Sequence, residues 1–213
     1  EVTEAAVRAV CAAIERLPDY QAGRWAPQAR TPAAMHPLMR QSDRAVDWAR
    51  DSMALVLAKL NSADGFPGVS DHLFDQPCQL YNASVYPARG RPGDLLGRVA
   101  EGIVRATCDG AVLIGHAKRK ESGIKLPVAQ VFPEVLDIPE LSGQADDIGY
   151  EESAGVGYLR FDFYNGAMGT TACERLLAAY EAAKMRPTKA IVLLGGADFF
   201  SNGLDLNCIE AAD

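Results

Sequence analysis

The sequence predicts an α+β segment built on a small β-barrel or sandwich, followed by an α/β segment that begins with one βαβ unit. Short β-prone runs alternate with glycine turns over residues 78–132, a pattern typical of small barrels and sandwiches. A helical stretch then leads into the wholly apolar run Ala190–Leu194. Strand, helix and apolar strand in succession are typical of a βαβ unit. An acidic stretch over residues 134–152 separates the two patterns.

The totals exclude several classes of protein. The chain has 213 residues, 48% of them hydrophobic and 23% charged, which is enough for one ordinary domain or two small ones. A net charge of -7 argues against a general nucleic-acid binder. The five cysteines are odd in number and form no C-x-x-C pair, so we expect reduced thiols and no disulfide framework or zinc site.

The hydropathy and the two ends of the chain bear on where the protein resides and on whether the sequence is a piece of a longer one. No apolar run approaches the roughly 18 residues that span a bilayer, and the acidic, amphipathic start at residues 1–6 does not resemble a signal peptide. We therefore expect a cytoplasmic protein that does not enter the membrane. The first residue is Glu1 instead of Met, and Asp213 falls where a helix is predicted to start. Both ends suggest an internal piece of a longer chain.

Residues 1–37 predict one helix and an extended connector. Apolar residues recur at helical spacing, at Val2, Ala6, Val10 and Ile14. Thr3 is a candidate N-cap, and the helix is expected to end near Leu17 because Pro18 disfavours helical geometry at the residue before it. From about residue 19 periodicity is lost and prolines recur, at Pro27, Pro32 and Pro37.

Residues 38–133 predict the β-rich segment. A short strand over 44–48 is followed by a helix that Asp51 or Ser52 caps, and by a turn over 65–68. The dipeptide Asp109-Gly110 predicts a tight hairpin turn, since glycine readily adopts the positive φ that such turns need. The β-prone runs are 78–83, 102–108, 111–116 and 128–132.

Residues 134–155 predict a solvated linker, because 134–152 holds seven acidic residues and no basic one. Residues 156–213 then predict a strand over 156–163, a helix capped by Thr170 or Thr171, and a strand Ala190–Leu194 buried on both faces. One βαβ unit cannot close a core. We therefore expect this segment to be exposed and conditionally ordered, with further chain after Asp213.

Three stretches around the βαβ unit share the pattern of one family. The run FDFYNGAM at 161–168 precedes the helix, and LGG at 194–196 and FSNGLDL at 200–206 follow the apolar strand. These stretches resemble the crotonase (enoyl-CoA hydratase/isomerase) superfamily. The resemblance implies a coenzyme A site, with the N–H of Leu204 as one donor of an oxyanion hole. The residues it implies for CoA contact are Ala167, Met168, Asn202, Gly203, Leu204 and Asp205.

Two departures limit what the crotonase resemblance implies. The 165–168 turn carries one residue more than the family's usual Asn-Ala-Leu, and Asn202 stands where the family usually has Ala. The family's second oxyanion donor and its acid and base residues would lie after Asp213. The resemblance therefore implies a CoA site, and does not imply hydration of enoyl-CoA.

A second resemblance covers roughly residues 1–132. The runs RAVDW at 44–48 and DGFPGV at 64–69, with DGA at 109–111 and KLP at 125–127, are similar to the C-terminal domain of methionyl-tRNA-type formyltransferases. That resemblance implies a barrel of the oligonucleotide-binding-fold type, with 10-formyltetrahydrofolate bound by a preceding domain that holds the catalytic Asn, His and Asp. We therefore assign the chain's histidines plain structural or surface roles: His36, His72 and His116.

The two resemblances together are similar to the hydrogenase maturation factor HoxX family. That family implies transfer of a formyl group from 10-formyltetrahydrofolate to CoA, and loss of CO from formyl-CoA, the CO becoming an iron ligand in [NiFe]-hydrogenase. Small-molecule substrates and hydrogenase assembly proteins would be the partners. The piece alone is expected not to transfer formyl groups, since the catalytic domain precedes it.

Other functions stay open. Residues 85–125 hold eight Lys or Arg against four Asp or Glu, so a positive face could guide CoA phosphates, meet RNA, or be a plain solvated surface. Arg40, Arg44 and Arg50 are further candidates for phosphate contact. The chain could instead be a stand-alone module that binds RNA or a protein, or part of a fusion enzyme that formylates another acceptor.

Overall fold

The computed structural model describes residues 2–24, 37–120, 123–143 and 147–212. The prolines at 27 and 32 and the histidine at 36, which the sequence analysis named, lie outside these ranges. The chain divides into two compact units, Glu1–Leu38 and Met39–Asp213.

The first unit holds two helices, α1 (Val2–Glu15) and α2 (Leu17–Gln21). The predicted cap is wrong, since Thr3 lies inside α1. The predicted end near Leu17 is close, but the chain continues into α2 with Pro18 in its first turn. Proline is tolerated there because the first N–H groups of a helix have no partner within it. The connector predicted from residue 19 is therefore wrong for 19–21.

The second unit begins with a six-stranded antiparallel sheet. Its hydrogen-bonded order is β1-β2-β5-β4-β3, and β6 pairs with β5. In the part of the chain that the structure describes, this pairing ends at β1 and β3, so the predicted barrel is not confirmed. The strands are β1 (Val69–Leu73), β2 (Gln76–Tyr86), β3 (Leu95–Val99), β4 (Gly102–Ala106), β5 (Ala111–Arg119) and β6 (Lys125–Pro127).

Helix α3 (Met53–Ser62) packs on this sheet. Ser52 caps it as predicted, accepting from the N–H of Leu55 at 3.3 Å. Val56 and Leu60 are fully buried on its inner face. The predicted hairpin at Asp109-Gly110 is confirmed, because β4 and β5 pair on either side of it. The largest core side chains include Phe132, Leu73, Leu80, Ile103 and Ile114.

Two predicted strands of this segment are wrong. At 44–48, the 3-10 turn Gln41–Arg44 is followed by irregular chain over 45–47 and a turn over 48–50. There the Asp47 carboxylate accepts from the N–H of Ala49 at 3.1 Å, a local bond that competes with strand pairing. At 128–132, the chain forms the short helix α4 (Val128–Val131), because a short buried apolar run fits either structure.

The predicted acidic linker is wrong over most of its length. Pro133–Asp137 forms a 3-10 turn, and the N–H of Leu141 donates to the carbonyl of Arg98 in β3 at 2.9 Å. Strand β7 (Ile148–Ser153) follows, with the carboxylates of Glu151 and Glu152 on exposed positions. Acidic side chains on a solvent face are compatible with a strand, so composition alone misassigned this stretch.

A second sheet follows, with strand order β7-β8-β9. Strands β8 (Val156–Phe161) and β9 (Ala190–Leu194) are parallel and flank helix α5 (Thr170–Lys184), as predicted. The N-cap of α5 is Gly169, not either predicted threonine. The prediction that β9 is buried on both faces is wrong, since Val192 is 37% and Leu193 43% exposed. A short helix α6 (Leu206–Glu210) comes last.

Candidate functional site

The loop that follows β9 is held against the turn that precedes α5. The N–H of Asn202 donates to the carbonyl of Gly166 at 2.7 Å, and the N–H of Met168 donates to the carbonyl of Gly203 at 2.9 Å. The N–H of Asp205 donates to the carbonyl of Met168 at 3.2 Å. These backbone bonds bring together the 164–168 turn and the 202–205 loop, the two stretches predicted to form one site.

The N–H of Leu204 points away from this contact. Met168 and Leu204 form a parallel bridge, which uses the carbonyl of Gly203 and the N–H of Asp205. In a parallel bridge the N–H of the middle residue faces the opposite side. Gly203 makes the sharp turn before it with φ +87, a conformation that glycine adopts without strain. The loop thus offers the Leu204 N–H as a donor.

A cavity of about 1020 Å³ lies between the first sheet and the turn and loop just described. Of the residues predicted to bind CoA, Ala167 and Asp205 line it, whereas the other four lie outside its lining among the described residues. The lining also includes Asn82, His116 and Tyr164. The volume is enough for part of a ligand of cofactor size.

Polar side chains join β6, the end of α3 and the 164–168 turn beside this cavity. The hydroxyl of Tyr164 donates to the Asp64 carboxylate at 2.7 Å and accepts from the ammonium of Lys125 at 2.8 Å. Burial lowers the pKa of Lys125, although the charges of Asp64 and Asp205 oppose this. Burial and the bond to Asp64 raise the pKa of Tyr164 well above its usual range. Tyr164 therefore stays protonated and donates.

His116 lies on β5 beside this cluster. Its Nδ1 is 3.1 Å from the side-chain nitrogen of Asn82, and its ring centroid is 4.4 Å from that of Tyr164. Burial, with the nearby charge of Lys125, lowers its pKa from 6.5 to about 4. The ring is therefore neutral near pH 7, and its charge does not contribute to ligand binding there.

We expect the stability of the second unit to fall as the pH decreases from 6.5 to 4 because of His116. The unfolded chain takes up a proton near pH 6.5, whereas the folded ring resists it until about pH 4. The loss is on the order of 2 kcal/mol after the partial exposure of the ring is allowed for. Urea unfolding at pH 7 and pH 4.5 measures it. His116→Gln should flatten the pH dependence, and His72→Gln, at an exposed position, should not; equal slopes in both variants would refute the assignment.

The basic residues of 85–125 form less of a free positive face than their number suggests. Four of the eight are held inside the fold by protein acceptors. Arg98 pairs with Glu140 at 2.9 Å and Arg105 with Asp71 at 3.2 Å. Arg119 donates to the carbonyl of Val131 at 2.9 Å, and the fourth is Lys125. These contacts weaken the case for a face that binds RNA.

The other candidates for phosphate contact lie in different surroundings. The side chain of Arg50 is 88% exposed and 3.8 Å from the Asp47 carboxylate. Arg40 is exposed, and its N–H donates to the Asp43 carboxylate at 2.7 Å. The Nε of Arg44 is buried with no hydrogen-bond partner among the described residues. None of the three lines the cavity.

Sequence analysis missed Asp64, Lys125 and Tyr164 as members of one cluster. Each lay inside a stretch that had been singled out for its family pattern, at 64–69, 125–127 and 161–168. Within those stretches the glycines and prolines carried the argument, because turn geometry is visible in a single sequence. A bond between side chains 100 residues apart has no such local signal.

Metal-ligating side chains and thiols are the remaining groups to consider. Among them, no group of three or more His, Cys, Asp or Glu side chains could hold a metal ion. All five cysteines are free thiols, and burial raises the pKa of Cys78 to about 12, which keeps it an inert thiol. No helix within these ranges is long and apolar enough to cross a membrane.

The β-rich segment is similar to one known family. Residues 38–132 match the family model "Formyl transferase, C-terminal domain". The match falls on the segment where the runs at 44–48 and 64–69 suggested this similarity. The match covers α3, the six strands of the first sheet and α4.

Over its whole length the chain is similar to hydrogenase maturation factor HoxX of Bradyrhizobium diazoefficiens. The two are 44% identical over 218 residues, which cover 100% of this chain and 38% of the relative. A crystal structure of a HypX variant from Aquifex aeolicus matches with a TM-score of 0.86 and 40% identity, over 99% of this chain and 40% of that one. HypX from the same organism in complex with tetrahydrofolic acid matches with a TM-score of 0.82 and 40% identity, over 95% of this chain and 38% of that one.

The chain thus spans about two fifths of the length of these relatives. The mixed α/β fold with its antiparallel first sheet is shared with the HypX structures. The similarity runs through both the segment that matches the formyl transferase model and the βαβ segment.

Proposed function

We propose that this chain is part of a hydrogenase maturation enzyme that moves a formyl group from 10-formyltetrahydrofolate to CoA and then releases CO from formyl-CoA. The observation that supports this most is the similarity to a hydrogenase maturation factor at 44% identity across the whole chain. That similarity covers both the β-rich segment and the βαβ segment, in the same order along the chain. The tetrahydrofolic acid bound by a relative supports a folate substrate.

The two steps balance without an added oxidant or reductant. In the first, the C–N bond to the folate nitrogen breaks and the formyl carbon forms a C–S bond with CoA. The thiol proton ends on the folate nitrogen, giving tetrahydrofolate and formyl-CoA. In the second, the C–S bond breaks and the formyl hydrogen leaves as a proton that ends on the CoA sulfur. The products of the second step are CO and CoA.

This chain would contribute the CoA side of the site. The N–H of Leu204 would donate to the thioester oxygen, because the bridge to Met168 leaves it unengaged in the loop. Donors fixed before the reaction stabilise developing negative charge at low reorganisation cost. CoA would contact Ala167 and Asp205, which line the cavity. The shape of the loop would depend on Met168, Asn202 and Gly203, through their backbone bonds.

The test uses the full-length protein that contains this chain, with 10-formyltetrahydrofolate and CoA, and follows CO by its binding to deoxymyoglobin. We expect CO release that requires both substrates. Omission of CoA should stop it, which separates this function from formylation of another acceptor. Folate consumption that yields formate and no CO, or CO release independent of CoA, would contradict the proposal.

A further inference from the structure

The side chain and the backbone of Tyr164 belong to two different contacts. Its backbone begins the 164–168 turn, whereas its hydroxyl contacts the formyl transferase C-terminal domain through Asp64 at 2.7 Å and Lys125 at 2.8 Å. All three side chains are half-buried. A hydrogen bond to a charged group in such surroundings is stronger than one between neutral groups.

The two partners of the Tyr164 hydroxyl, Asp64 and Lys125, are themselves held by further contacts. Asp64 follows the last turn of α3, and its second carboxylate oxygen accepts from the N–H of Asn82 in β2 at 2.5 Å. Lys125 lies on β6, which pairs with β5, and its ammonium is 4.8 Å from the ring centroid of Tyr81. The ring of Tyr164 packs against His116 on β5. The hydroxyl of Tyr164 is therefore held from two elements of the first sheet's segment.

The turn that begins at Tyr164 contacts the loop that carries Leu204, the predicted oxyanion donor. Gly166, two residues after Tyr164, accepts from the N–H of Asn202 at 2.7 Å. A Cβ at Gly166 would lie 2.5 Å from the Cβ of Phe199, so the turn and the loop pack without space between them. A shift of Tyr164 would thus move the loop that carries Leu204.

We propose that Tyr164 is a positioning residue, which through Asp64 and Lys125 fixes the 202–205 loop relative to the formyl transferase C-terminal domain. The link aligns the N–H of Leu204 with the carbonyl of a bound formyl thioester. This role in catalysis rests on the proposed function. The mechanical link from Asp64 to the loop does not, and can be measured separately.

The link is tested by amide hydrogen exchange in the full-length protein without substrate. Tyr164→Phe keeps the ring on His116 and removes only the hydroxyl. We expect the amides of Met168 and Asn202 to exchange about tenfold faster or more, while the amide of Ile114 in β5 keeps its rate. Asp64→Asn should act in the same direction. Unchanged exchange at Met168 and Asn202, or an equal increase at Ile114, would overturn the proposal.

Tyr86→Phe is the matched control for exchange. Its hydroxyl donates to the carbonyl of Ser142 at 2.7 Å, so the variant loses a bond of the same length that does not involve the 164–168 turn. We expect the amides of Met168 and Asn202 to keep their wild-type rates in this variant. Faster exchange there would show that loss of a tyrosine hydroxyl elsewhere also loosens the loop, and would count against Tyr164 as a specific link.

The catalytic consequence is tested with formyl-CoA supplied directly. In Tyr164→Phe we expect kcat for CO release to fall about tenfold to hundredfold with KM changed less than twofold, because the hydroxyl bonds to Asp64 and Lys125. The double variant with Asp64→Asn should lose no more than Tyr164→Phe alone. Additive losses, or a rise in KM with kcat unchanged, would overturn the positioning role. Absence of CO release by the wild-type protein would refute the proposed function, and the exchange results would still decide the link.

Discussion

Replacing Leu204 by Pro is expected to lower the rate of CO release from formyl-CoA about 100- to 1000-fold in the full-length protein. Proline has no backbone N–H, and loss of one oxyanion donor typically costs this much. The backbone bonds between the loop and the turn should survive, because they use the carbonyl of Gly203 and the N–H of Asp205. Steady-state kinetics with formyl-CoA measures the effect.

Leu204→Ala is the matched control for this substitution. It keeps the N–H and removes only a side chain that is 65% exposed, so we expect a rate within about twofold of wild type. A proline variant as active as the alanine variant would mean that the N–H of Leu204 is not a donor to the reacting oxygen. Equal, large losses in both variants would assign the effect to the side chain instead.

Replacing Phe132 by Ala is expected to destabilise the second unit by about 4 kcal/mol. The ring is fully buried. It lies 6.1 Å from the ring of Phe74 and 5.0 Å from the guanidinium carbon of Arg119. Its removal loses apolar burial and leaves a cavity that rigid strands cannot close. Urea unfolding followed by tryptophan fluorescence measures the free energy of unfolding.

The same chemical change at Phe66 provides the comparison. That side chain is 87% exposed, so Phe66→Ala should change the free energy of unfolding by less than about 0.5 kcal/mol. If both variants unfolded at the same urea concentration, the core described around Phe132 would be wrong.

The sequence predicted the elements whose local pattern permits one structure. Asp109-Gly110 turns between two apolar runs, and the N-cap at Ser52 precedes a helical repeat; both predictions are confirmed. The run 128–132 was predicted as a strand and is helical over Val128–Val131, because four buried apolar residues around Gln130 are too few to show a periodicity that separates the two structures. The strand β7 was missed since acidic composition outweighed its alternation of half-buried and exposed positions.

The candidate site was predictable in part for the same reason. Gly203 marks a sharp turn, and the structure brings its loop against Met168 as the family pattern suggested. The supporting side chains were not predictable, since Asp64 and Lys125 reach Tyr164 only through the arrangement of β6 and α3 around it. Contacts of this kind depend on tertiary structure, which a single sequence does not display.

The distance along the chain between Asp64 and Tyr164 has a kinetic consequence. The two residues are 100 positions apart, and the entropic cost of closing a loop grows with its length. Their hydrogen bond can form only after the first sheet and the 164–168 turn have each taken shape, so it is absent from an early folding nucleus. Interactions absent from the transition state affect the unfolding rate. The contact therefore slows unfolding of the second unit more than it speeds folding.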